Sequence, residues 1–138
     1  MGERQVLTAE KMAAGGDAIA HLVDGRVVFV AGALPGEQVL ADVHTMKKDF
    51  ARATVVEVVE SVDGRVSPPC PELARGCGGC AWQHASPELQ MTMKADVVRD
   101  ALRRTAKLPD AVVREGGAVT PWRYRTTMRV AVAPDGRV

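Results

Sequence analysis

The chain has 138 residues, of which 46% are hydrophobic and 25% charged, with a formal net charge of +1. That is room for one ordinary domain or two small ones, with enough apolar material for a core, so wholesale disorder is excluded. No apolar run approaches the ~20 residues of a membrane span, and Met1-Gly2-Glu3-Arg4-Gln5 lacks the basic-then-apolar profile of a secretory signal, so the expectation is a cytoplasmic protein with no membrane partner.

Aromatic residues make up only 4%, so the core must be built mostly from Val, Ala and Leu. Charge is unevenly spread. Residues 1–69 carry seven Lys/Arg against ten Asp/Glu, and residues 70–138 carry eleven against seven, so the basic excess lies in the second half.

Residues 1–62 read as a small OB-like β-barrel. Val6-Leu7 opens the first strand. Asp24-Gly25 separates Ala18–Val23 from Arg26–Val30, and a two-residue Asp-Gly loop between apolar runs predicts a tight hairpin with both turn residues at positive φ. Leu34-Pro35-Gly36-Glu37 marks a turn. Val39–Val43 and Ala53–Val59 supply two more strands, giving five short Val-rich strands of the kind that close into a barrel. Lys47, Lys48 and Arg52 surround Phe50 in the connection before the last strand. Such loops meet nucleic acid in OB-like barrels, with bases stacking on aromatics, although a merely solvated loop has the same composition.

Asp63–Pro69 reads as a linker. It leads into Cys70–His84, which holds all three cysteines at spacing C-x6-C-x2-C. Thiolates clustered among glycines predict a metal site. Three readings stay open at this point: an iron–sulfur cluster on Cys70, Cys77 and Cys80; a zinc site with His84 as fourth ligand; or inert or disulfide-bonded cysteines, which the odd count and the absence of a signal peptide disfavour.

One clear helix follows. Ser86 suits its N-cap and Pro87 its first turn, and Leu89, Met93, Val97, Ala101 and Thr105 recur every four residues beside Val98 and Leu102. Lys94, Arg99, Arg103, Arg104 and Lys107 occupy the rest, the last three where they also suit the helix dipole. Pro109 stops the helix. Beyond Gly116-Gly117, Trp122–Val130 alternates like a strand, with Arg123, Arg125 and Arg129 on one face, either a phosphate-binding strip or a plain exposed face. Pro134-Asp135-Gly136 then reads as a turn whose return strand is missing, so the chain is expected to be an N-terminal fragment. It contains no G-x-G-x-x-G or P-loop pattern.

Pro68-Pro69-Cys70-Pro71 followed by Cys77-Gly78-Gly79-Cys80-Ala81-Trp82-Gln83-His84 resembles the cluster-binding segment of RNA (uracil-5-)-methyltransferases. These are S-adenosylmethionine-dependent enzymes with an N-terminal TRAM domain. The resemblance continues through Gln90 and Lys94 to Tyr124-Arg125, and Phe29-Val30-x-x-Ala33-Leu34-Pro35-Gly36-Glu37 resembles the TRAM signature. The interval between the first two cysteines is one residue longer than the family's commonest spacing.

The resemblance implies a 4Fe-4S cluster on Cys70, Cys77 and Cys80, completed by a cysteine further on. It also implies an S-adenosylmethionine-binding Rossmann-like domain, a nucleophilic cysteine and a general base beyond this chain. In that family a thiolate adds to C6 of uracil, C5 takes the methyl group, and a base removes the C5 proton. The implied partner is RNA, 23S rRNA ahead of tRNA, met by Lys47, Lys48, Arg123, Arg125 and Arg129 on a monomer. The implied organisation is α+β: barrel 1–62, linker and cluster loop 63–85, and the start of a central domain with an antiparallel sheet over 86–138. The competing reading is a self-contained Cys3His zinc module that binds RNA without catalysis.

Overall fold

A computed structural model describes residues 2–136. Six strands, β1 (Glu3–Thr8), β2 (Lys11–Met12), β3 (Ala18–His21), β4 (Val27–Ala31), β5 (Gln38–Met46) and β6 (Phe50–Glu60), form one sheet in the order β1-β5-β6-β4-β3-β2. All neighbours are antiparallel except β4 and β6. Register shifts at Gln38/Val39, Leu40/Ala41 and Val43/Thr45 bend the long β5–β6 ribbon, which lets the sheet curl into a barrel-like shape. The expected five strands become six because the two-residue β2, too short to show a period of its own, pairs with β3.

Alternation places Val28 and Val30 of β4, Val39, Ala41 and Val43 of β5, and Ala51 and Ala53 of β6 inside, with Leu7, Ala18, Ala20 and Leu34. This is the Val-Ala-Leu core that the composition required. Small side chains fit a narrow barrel interior.

The hairpin after β3 differs from expectation. Gly25 N–H donates to Leu22 O (2.9 Å), Leu22 N–H donates to Arg26 O (2.9 Å), and of the loop residues only Gly25 has positive φ, at 83°. The loop is therefore a three-residue turn ending in a left-handed glycine. Val23 and Asp24 keep ordinary backbone, and the Asp24 side chain accepts from Arg26 N–H (2.9 Å).

The helix matches its sequence signals. α1 spans Pro87–Arg104, Ser86 is the N-cap, and the Ser86 hydroxyl accepts from Leu89 N–H (3.2 Å). Only the first half of the apolar stripe packs on the barrel core: Met93 is buried, Leu89 and Val97 are half-buried, and Ala101 and Val98 are exposed. The segment read as a linker is packed too. Gly64 O accepts from Ser86 N–H (2.7 Å), and a Cβ at Gly64 would lie 3.2 Å from Leu89 and the Ser86 hydroxyl.

A second correction concerns Trp122–Val130, which forms no strand, and the expected antiparallel sheet after α1 is absent among the described residues. The alternation is real, but no other segment there pairs with it, and an unpaired strand is not stable in water. Arg123 takes φ 56°, which also breaks the two-residue period.

Asp100 fastens α1 to the barrel. Its side chain, 13% exposed, accepts from Lys11 of β2 (3.0 Å) and pairs with Arg103 and Arg104 (2.7 Å each). The Lys11 hydrogen bond pulls its pKa from 3.8 to about 2, against the opposing effect of burial and with help from Arg103 and Arg104. A depressed carboxylate stabilises fully above its unfolded pKa and loses that contribution as pH falls through the folded value. Solvent screening of the exposed partners Arg103 and Arg104 limits this contribution to ~1 kcal/mol. Stability against urea should therefore hold near neutrality and drop as pH falls from about 4 to about 2, and Asp100→Asn should remove that step.

Candidate cluster loop and nucleic-acid interface

The cysteine loop is tied down at its two ends and free between them. At its start Cys70 N–H donates to the Gln83 side-chain oxygen (3.2 Å). At its end the Trp82 indole N–H donates to Gly16 O of the barrel (2.9 Å), and Ala85 is buried in the core. Gln90, on the first turns of α1, donates to Trp82 O (3.1 Å) and Ala85 O (3.0 Å), so the helix fixes the same end. Between the anchors, Pro71–Arg75 makes a short 3₁₀ helix with no buried residue. Gly76 ends it at φ 91°, a left-handed conformation that costs glycine nothing, and turns the chain towards Cys77.

All three thiols are free, Cys70 half-buried and Cys77 and Cys80 exposed. As a donor set they suit iron or zinc in kind: soft ligands on a glycine-hinged backbone. In arrangement they do not, because among the described residues no three His, Cys, Asp or Glu side chains gather closely enough to hold an ion. The loop carries the donors without presenting a formed site, which is common where ligation itself folds the segment.

His84 is not with the thiols. It is 5% exposed, and its buried Nε2 has no hydrogen-bond partner among the described residues. Burial lowers its pKa and the charge of Arg65 lowers it further, against the backbone of Ala33 and the charge of Glu37. The alternative Cys3His set would require this buried ring to leave its pocket to reach the exposed Cys77 and Cys80.

Behind His84 lies the one buried ion pair described, which sequence reasoning missed. Glu37 is fully buried and its carboxylate accepts from Leu34 N–H (2.8 Å). Arg65 grips both carboxylate oxygens through Nε and Nη2, and Nη2 also donates to Gly32 O (2.6 Å). Burial alone would raise the Glu37 pKa, but the Arg65 hydrogen bond, the Leu34 N–H and the Arg65 charge together hold it below the ordinary value. Arg65 belongs to the presumed linker, so this pair pins the approach to the cysteine loop onto the barrel. Glu37 stood in the signature stretch, but nothing in the spacing of Arg65 marked it as a partner.

The expected RNA-contacting residues fall into two groups. Arg123 and Arg125 line a cavity of about 580 Å³ together with Cys80, Gln83, Gln90 and Trp122. Arg125 lies over the Tyr124 ring (5.6 Å). Arg129 is exposed but does not line that cavity. The three arginines therefore do not form the flat strip that strand alternation predicted. Lys47 and Lys48 are elsewhere, in the tight β5–β6 turn closed by Lys47 N–H donating to Phe50 O (2.8 Å). Arg52 and Phe50 lie on β6 itself and not in the connection.

Residues 2–56 match the TRAM domain model. The chain is 41% identical over 136 residues to a 23S rRNA (uracil(1939)-C(5))-methyltransferase RlmD of Halomonas elongata, covering 98% of this chain and 28% of that protein. It is 37% identical over 150 residues to an uncharacterized RNA methyltransferase of Streptomyces avermitilis, covering 99% of this chain and 35% of that protein. A solved tRNA (uracil-54, C5)-methyltransferase of Pyrococcus abyssi shares 22% identity at a TM-score of 0.44, over 70% of this chain and 21% of that one. The chain thus spans about a third or less of the length of the relatives it matches.

Proposed function

We propose that this chain, which carries a TRAM domain over residues 2–56 and matches relatives named as 23S rRNA (uracil-C5)-methyltransferases, is the RNA-handling front portion of an S-adenosylmethionine-dependent RNA (uracil-5-)-methyltransferase acting on 23S rRNA in the cytoplasm. The observation that carries this reading is the match along 98% of the chain, which runs through the barrel, the cysteine loop and α1 alike. Methyl transfer, the donor site and the catalytic thiol are assigned to the portion of such proteins that this chain does not span. No helix among the described residues is long and apolar enough to cross a membrane.

Within the chain, Cys70, Cys77 and Cys80 would supply three ligands of a 4Fe-4S cluster, which would stiffen the exposed loop. The cavity beside Cys80 lends support, because it sets Arg123 and Arg125 next to that loop, so that ordering the loop would order a basic wall with it. Phosphate contacts from these arginines release counterions, and each adds to the salt dependence of binding. Changing Arg123, Arg125 and Arg129 together to Gln should weaken binding of single-stranded RNA and flatten the log–log salt slope by ~0.7 per lost contact. An unchanged slope would remove these arginines from the interface. The same measurement on Lys47→Gln/Lys48→Gln tests the barrel end.

A further inference from the structure

The chain has only two phenylalanines, and neither enters the buried core. Phe29 of β4 and Phe50 of β6 both lie half-buried on the outer face of the barrel, edge to face, with ring centroids 5.9 Å apart. A chain short of aromatics would gain most by burying them, so their placement outside the core calls for another use. Beside them the Arg52 guanidinium lies 5.6 Å from the Phe29 ring and 5.9 Å from the Phe50 ring. Strand register makes this a continuous row: Lys11 pairs with Ile19, Ile19 with Phe29, and Phe29 with Arg52.

Lys11, Ile19 and Phe29 of this row, with Phe50, form the floor of a groove of about 560 Å³ whose far wall is α1, through Val97, Ala101 and Arg104; Arg52 stands beside the rings and does not line it. Of the carboxylates lining it, Glu10 is engaged by His21 (2.7 Å) and Asp100 by Lys11, Arg103 and Arg104, while Asp49, between Lys48 and Phe50, offsets part of the lysines' charge. Lys47 and Lys48 stand in the turn leading to Phe50 and make no ion pair among the described residues. The face of one ring and the edge of the other, a guanidinium beside them and lysines at one end match an unpaired base with its phosphates. A duplex, whose bases are stacked on each other, could not enter.

We infer that the groove between α1 and the outer face of the barrel receives one unpaired base of single-stranded RNA, with Phe29 and Phe50 as its platform and Lys47 and Lys48 on the adjoining backbone. The inference rests on the RNA-binding reading above and adds a subsite to it. The test uses the whole chain and a labelled single-stranded RNA of about ten nucleotides, with a second probe in which the bases are replaced by abasic sites. Phe29→Leu and Phe50→Leu should each weaken binding of the intact probe about 10-fold and leave the salt slope unchanged. Binding of the abasic probe, already weak, should not distinguish the variants from the unaltered chain. Ala101→Phe, at an exposed helix position that touches no core residue, should block the groove from its other wall and give the same loss even if a Phe50 variant folds poorly. Equal affinity of all variants for the intact probe, as expected if the groove seats a polypeptide, would overturn the subsite and leave RNA binding standing. Equal binding of a duplex would do the same. No RNA binding by the unaltered chain would overturn both readings.

Discussion

Arg65→Met should destabilise the protein by ~3–5 kcal/mol. Arg65 is partly exposed, with 22% of its side chain accessible, and the loss comes from its partner: Glu37 is at 0% and would be left charged inside the protein. The Leu34 N–H would still donate to the carboxylate, but backbone donors carry no net charge and do not replace a two-pronged guanidinium. The pH dependence should reverse. In the unaltered protein the Glu37 pKa is lowered, so its contribution is present above the ordinary carboxylate value and lost as pH falls through the folded one. Without Arg65, burial is opposed only by the backbone at Leu34 and Val62, so the Glu37 pKa should rise and the variant should lose stability as pH rises from acid towards neutrality. Urea midpoints of both proteins across that range would show slopes of opposite sign. Glu37→Gln in the Arg65→Met background should recover part of the loss, since a neutral amide tolerates the site better than a bare carboxylate. Parallel slopes for both proteins would mean that Glu37 finds other compensation.

The contrast between Arg65 and the helix shows what the sequence could display. Ser86-Pro87 and the four-residue recurrence from Leu89 are local signals, and α1 starts where they place it. The pairing of Arg65 with Glu37 spans 28 positions and depends on how the Asp63-Gly64 turn folds back, which no window of sequence contains. Phe29 and Phe50 meet for a similar reason. They lie on β4 and β6, which pair in parallel across a hairpin, and parallel neighbours leave no turn signature between them. Trp122–Val130 fails in the opposite way: its alternation was legible, but a period describes a strand only when a partner is there to pair with it. At Asp24-Gly25 the position of the turn was legible and its type was not. The same dipeptide serves a two-residue loop and the three-residue loop found here, and the choice falls to strand register. Of the cysteine loop, the donors and the glycine hinge could be read directly. What could not be read was that His84 turns inward, where the groups that act on it, Arg65, Glu37 and Ala33, are distant in the chain.

That inward turn separates the two metal chemistries by experiment. The protein reconstituted without air with iron and sulfide should turn brown and hold both, and Cys77→Ser should bring its iron content to background, because three thiolates are already one short of a four-thiolate set. The barrel should survive this change. Pro71–Arg75 has no buried residue and Cys77 is exposed, so the core meets the loop only at its far end, through Trp82 and Ala85. The cooperative melt should therefore shift little, while protease sensitivity between Cys70 and Trp82 should rise sharply, since ligation is what would order that stretch. His84→Gln should act in reverse: the metal should stay, and the melt should fall because a buried ring has been replaced by a polar amide. A colourless protein holding one zinc, lost on His84→Gln and on Cys77→Ser alike, would mean that the imidazole leaves its pocket to ligate, and the cluster assignment would go with it. The two variants move metal content and core stability independently, so one series of four measurements decides which residues belong to the loop's chemistry and which to the fold beneath it.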